Sequence, residues 1–222
     1  MTEAPPPIGN PRLKTPAAAA VAGIIFSVLL GTSMLLIFIS IPDDPTSDSS
    51  WLIDHRGRVN FALALIPFAA IAFLWFVGVV RDLMGPREDQ FFATIFLGSG
   101  ILLLGGLFVW MTIVAAVLAN TSSDPEFANS SSYLLGASMI EVMGGTILVR
   151  MAGVFMFSSA VMWHRTRVVP AWLFIATYAT SLVMLFGGAW LRPLRLVFPV
   201  WVLVTSIMIL WERRRRAKTT DN

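Results

Sequence analysis

The sequence predicts an all-α, polytopic membrane protein: a bundle of about six transmembrane helices, with both termini on the cytoplasmic side. Three observations carry this. Of the 222 residues, 13% are charged and 56% hydrophobic, where a soluble domain carries about 25% and about 45–50%. Uncharged runs recur at about the 20 residues that a helix needs to cross the hydrocarbon core. Lys and Arg collect at alternate ends of those runs, as the positive-inside rule requires. β-barrel strands are excluded because they are only about 9–11 residues long and alternate in polarity.

Residues 1–16 are Pro-rich and polar, an extended cytoplasmic tail. The first span, 17–41, carries no charge and is long enough to cross with some tilt. Arg12 and Lys14 precede it as they would a signal peptide. A signal's apolar region is only about 7–15 residues, however, and no A-x-A-like site closes this run, so a retained span is expected. A polar loop leads to the second span, 59–80, which holds Pro67 as an expected kink. A charged turn with Gly85-Pro86 precedes the third span, 91–118, and a Ser/Asn/Asp-rich loop follows it. The fourth span, 134–163, contains two charges, Glu141 and Arg150. The fifth, 168–190, and the sixth, 196–211, flank the turn Arg192-Pro193-Leu194-Arg195, and 212–222 is a basic cytoplasmic tail.

Orientation follows from the bases. With the N-terminus inside, eleven Lys and Arg fall on the cytoplasmic side (Arg12, Lys14, Arg81, Arg87, Arg165, Arg167 and five in the C-terminal tail). Four lie opposite (Arg56, Arg58, Arg192 and Arg195), and Arg150 is within the membrane. Trp51, Trp163, Trp172, Trp190 and Trp211 fall near span ends, where an interfacial belt is expected. Arg far outnumbers Lys and the chain is Pro- and Ala-rich, which points to a bacterial cytoplasmic (inner) membrane.

A charge at mid-bilayer costs about 2.5–3.5 kcal/mol on insertion scales, so Arg150 and Glu141 are the candidate site. They are nine residues apart, half a turn off register in a straight helix at about 100° per residue, and separated by roughly 13 Å along the axis. Each therefore needs its own partner. Glu141 shares a face with Gly145, Ala152 and Ser159, a small-residue stripe suited to close packing, and its candidate partners are Arg56, Arg58, Arg192 and Arg195. Arg150 has no second acid deep in any span; backbone carbonyls, water, a lipid phosphate or another subunit remain for it. Two further stripes, Ala19/Gly23/Ser27/Gly31 and Thr94/Gly98/Gly105/Thr112, are expected to pack helices within the chain. Asp54 to Asn60 could cap the second span and bind an anion.

Several chemistries are excluded. There is no cysteine, hence no disulfide, thiolate nucleophile or Cys-ligated metal. The two histidines, His55 and His164, fall at opposite membrane surfaces, which argues against a bis-His haem. No phosphate loop, zinc-protease or selectivity-filter motif occurs, so no cofactor, metal or catalytic residue is expected. A net charge of +3 invites nucleic acid, but the bases sit at span ends rather than on one face. The expected partners are the lipid bilayer and another membrane subunit or a second copy. The leading expectation is a non-enzymatic accessory or scaffold subunit. A small transporter or channel using Arg150 and Glu141, and a lipid- or quinone-handling membrane enzyme, are the alternatives.

Overall fold

Inside a bilayer every backbone polar group must be satisfied within its own segment or a closed barrel, which leaves helices for apolar runs of this length. The computed structural model describes residues 15–42, 44, 46, 49–84, 90–123, 126–166, 169–187 and 193–220. It consists of α1 (Thr15–Ser40), the single turn α2 (Trp51–Asp54), α3 (Arg56–Met84), α4 (Gln90–Ser123), a 3-10 turn (Phe127–Asn129), α5 (Ser131–Val142), a π-helical turn (Met143–Ile147), α6 (Leu148–Thr166), α7 (Ala171–Gly187) and α8 (Leu194–Thr220). No strand occurs among the described residues. The protein is an all-α membrane bundle. Five helical stretches are long and apolar enough to cross, counting α5 through α6 as one. The sixth, α7, has 17 residues, at the short end of the roughly 17–25 a spanning helix uses.

Element boundaries differ from the sequence reading: α4 runs to Ser123, beyond the expected 118, α7 covers Ala171–Gly187 rather than 168–190, and three further differences stand out. α3 begins at Arg56 and is preceded by α2, so the loop leading to the second span is shorter than expected. α8 runs on through the basic stretch to Thr220; Arg and Lys are good helix formers, and cations favour a helix C-terminus. The fourth span is interrupted by the π turn at Met143-Gly144-Gly145-Thr146-Ile147.

α1 packs chiefly on α3 and α8, α4 on α3 and on the α5–α6 span, and α6 on α7 and α8. The helices α3, α1, α8, α6 and α4 thus close a ring, with α7 laid against α6. Close approach is set by glycines at a few points. A Cβ on Gly23 would overlap Ser206 Oγ and stand 2.8 Å from the Phe76 ring, so α1 meets α8 and α3 there. The Ser33 hydroxyl donates to the Ala62 carbonyl of α3 at 2.7 Å. A Cβ on Gly106 would lie 2.9 Å from the Leu148 side chain, where α4 meets α6.

The α4 stripe expected to pack does not. Thr94, Gly105 and Thr112 are exposed, Gly98 is half-exposed, and a Cβ on Gly98 or Gly105 would meet nothing within 4 Å. Small residues at helical spacing permit close packing without choosing which face is covered; Gly100 and Gly106 do the packing instead. The tryptophan belt is likewise partial. Trp172 and Trp211 are exposed, but Trp51 and Trp163 are buried, and Trp190 lies outside the described residues. Trp51 donates from Nε1 to the Tyr133 hydroxyl at 3.3 Å, and Trp163 stacks on Trp201. Pro67 and Pro199 sit inside α3 and α8, which continue through them.

The ring is filled on one side by aromatic side chains. Phe73 contacts Phe26, Phe76, Phe155 and Phe198. Phe155 in turn meets Phe96 and Trp201. These rings close the bundle between its mid-depth and the end where Trp163 lies.

Candidate functional site

The remaining half of the ring holds the candidate site. Arg195 is the second residue of α8, so the start of that helix carries it in at the opposite end from Trp163. Its Nη2 donates to Glu141 Oε1 of α5 at 2.7 Å. The pair is partly covered: the Arg195 side chain is 15% exposed and that of Glu141 39%. Arg195 Nε is buried with no hydrogen-bond partner among the described residues. Pro199, one turn on, has no N–H and cannot donate to the Arg195 carbonyl.

Local sequence makes room for this pair. A Cβ on Gly145 would fall 2.8 Å from Arg195 Nη2 and 3.1 Å from Glu141 Oε1. On Gly144 it would fall 2.9 Å from Trp110 Nε1. That indole N–H donates to the Ile140 carbonyl at 2.9 Å, just before the π turn. π turns shift the i→i−4 ladder; the Ile140 carbonyl accepts from the Met143 N–H and from Trp110 as a second donor. Upstream, Ser130 caps α5, its hydroxyl accepting from the Tyr133 N–H at 3.2 Å.

Beneath the pair lies an elongated cavity with about 60 Å³ open to the centres of water-sized spheres. Its wall on α1 runs from Phe26 through Leu30, Met34 and Ile37 to Ile41. The 15 steps from Phe26 to Ile41, one residue past the end of α1, make that wall about 22 Å long. Leu103, Leu107 and Trp110 of α4 face it, and Phe26 and Phe73 close its far end. Among the described residues, Glu141 and Arg195 are its only charged lining residues.

Among the four bases offered as partners for Glu141, Arg195 is the one brought to it. Arg56 is half-exposed and Arg58 exposed at the start of α3, with no ion pair to either among the described residues. Arg192 lies outside the described residues. Arg150 stands apart. It is exposed on the outer face of α6, does not line the cavity, and has no ion-pair or hydrogen-bond partner among the described residues. Ile147 and Phe157 are exposed and Val154 half-exposed on the same face. His55 and His164 lie at opposite ends of the bundle, and no cluster of three His, Cys, Asp or Glu occurs among the described residues.

Sequence reasoning missed Trp110, the π turn and the Trp201–Thr177 hydrogen bond (2.9 Å, α8 to α7). The Gly144-Gly145 pair beside an intramembrane Glu was the available signal for the first two. No protein-family model, curated protein or solved structure matches the chain.

Proposed function

We propose that the protein is a non-enzymatic subunit of a bacterial inner-membrane assembly, docking on its partner through the outer face of α6. Both termini are cytoplasmic in this reading, on the strength of the eleven-to-four Lys/Arg bias. The observation that carries the proposal is the exposure of Arg150. The Glu141–Arg195 pair lies at the start of α8 and so marks one edge of the membrane. Arg150, nine residues further along, is about 13 Å deeper, close to the middle of a hydrocarbon core about 30 Å thick. A guanidinium facing lipid at that depth costs about 2.5–3.5 kcal/mol. A partner helix presenting a carboxylate at the same depth offsets that cost, and Ile147, Val154 and Phe157 supply the apolar contacts beside it.

A transporter using Arg150 is disfavoured because the cavity does not reach it, and the aromatic cluster closes the bundle below. The test places a photo-crosslinking amino acid at Phe157 and irradiates native membranes. The expected product is a single hetero-crosslink to a transmembrane peptide containing Asp or Glu, lost on Arg150→Leu while the variant stays monodisperse. A crosslink to a second copy of this chain, or one unchanged by Arg150→Leu, overturns the proposal.

A further inference from the structure

Independently of any partner at Arg150, we infer that the cavity under the Glu141–Arg195 pair binds a neutral single-chain lipid whose head carries hydroxyl and carbonyl oxygens. Shape argues for a chain. The cavity is long and narrow, walled by one stripe of α1 from Phe26 to Ile41, and apolar along that whole length. A bulky or globular solute would leave most of that wall unmatched. Hydrocarbon covers it completely, and apolar cavities take apolar guests rather than water.

Polarity argues for the head. Both charged lining residues sit together at one end, near the membrane edge, which fixes the direction of the bound molecule. Arg195 presents a fork of donors, of which Nη2 is engaged by Glu141 and Nε is buried with no partner among the described residues. A carbonyl oxygen on the ligand can accept from a guanidinium N–H that Glu141 leaves free. The half-exposed Glu141 carboxylate, bonded through Oε1, can accept from a ligand hydroxyl.

Charge argues against an anionic head. Glu141 already neutralises Arg195, so a carboxylate or phosphate would bring a second negative charge to a partly covered cation. It would repel Glu141 or have to displace it. A neutral head satisfies the free donor and leaves the pair intact. Monoacylglycerols present both kinds of oxygen; prenyl quinols present hydroxyls alone, whose oxygens also accept, and the test separates the two.

The probe is a glycerol monoester of dibrominated stearic acid, whose bromines quench nearby tryptophan; Trp110 lines the cavity. Titrated into the full-length protein in detergent, it should quench saturably, and Trp110→Phe should remove the saturable component. Ala152→Phe, which fills the cavity wall without touching the ion pair, should weaken binding at least tenfold, and so should Arg195→Met. Leu107→Phe serves as a second filler if Ala152→Phe does not fold. Competition by unbrominated monoacylglycerol, or by a short-chain quinol, supports the inference and says which source is preferred. The brominated free fatty acid binding more tightly than its glycerol ester overturns it. Quenching that rises linearly with probe, or that both fillers leave unchanged, overturns it as well. None of these readouts involves Arg150, so failure here and failure of the docking proposal are separable.

Discussion

Replacing Glu141 with Ala strips Arg195 of its only ionic partner among the described residues, and the size of the loss follows from the cover over the pair. A fully exposed ion pair is worth about 0–1 kcal/mol. Breaking a fully buried one by removing one member costs about 3–5 kcal/mol. Here there is one bond of 2.7 Å, not a two-pronged fork, with side chains 15% and 39% exposed. The expected cost therefore lies between the limits, at roughly 1.5–2.5 kcal/mol, near that of a hydrogen bond to a charged group. At about 2–4 °C per kcal/mol for a chain of this length, Glu141→Ala should lower the Tm in micelles by roughly 3–10 °C. Arg195→Met should do the same. The double variant leaves neither charge stranded, so its loss should fall short of the sum by about 1–2 kcal/mol. Thermal or SDS unfolding of all four proteins, followed by tryptophan fluorescence, measures this coupling. Strict additivity of the two single losses would refute the pair as a stabilising element.

Other expectations follow from close contacts. Gly145→Ala should displace the Arg195–Glu141 pair, since its Cβ would lie 2.8 Å from Nη2; unfolding should show a loss in the wild-type background that largely vanishes beside Glu141→Ala. Trp110→Phe should cost about 0.5–1.5 kcal/mol through the lost hydrogen bond to the Ile140 carbonyl, which keeps the Met143 N–H, read as a lower Tm. Gly23→Leu should overpack the α1–α3–α8 junction by about 1–3 kcal/mol or more, seen as poor monodispersity after extraction. Gly105→Ala, with nothing within 4 Å of its Cβ, should be neutral or stabilising by up to about 1 kcal/mol.

How much of this was readable beforehand depends on which physical quantity was asked for. Span existence is set by hydropathy and length, which are properties of the sequence alone, and the helices stand where the uncharged runs are. The face a helix presents is a property of its neighbours, and there the sequence was less informative. Thr94, Gly98, Gly105 and Thr112 form as regular a stripe as Gly23 and Ser27, yet the first faces outward and Gly23 touches α3 and α8. Glu141 illustrates the intermediate case. Its need for a cation was readable from depth and cost, and Arg195 stood among four candidates; choosing it required the tertiary placement of α8's first turn. The π turn was only hinted at, because Gly144-Gly145 signals close approach in any helix and does not specify an irregular turn.

That ladder shift bears on the two charges together. The half-turn estimate for Glu141 and Arg150 assumed an unbroken α-helix, and the π turn lies between them. It loosens the winding where Gly145 must clear the guanidinium, so the α5 half of the span can turn Glu141 toward α8 while the α6 half keeps its own packing on α4 and α7. Ala152, Phe155 and Ser159 of α6 are buried in that packing, and Arg150 is left on the uncovered side. The span thus serves two surfaces, an inward pair at the membrane edge and an outward cation near mid-depth, and the π turn between them changes the angle at which the two side chains diverge. A regular helix through Met143–Ile147 would couple the orientations of Glu141 and Arg150 rigidly, and moving one toward its partner would rotate the other.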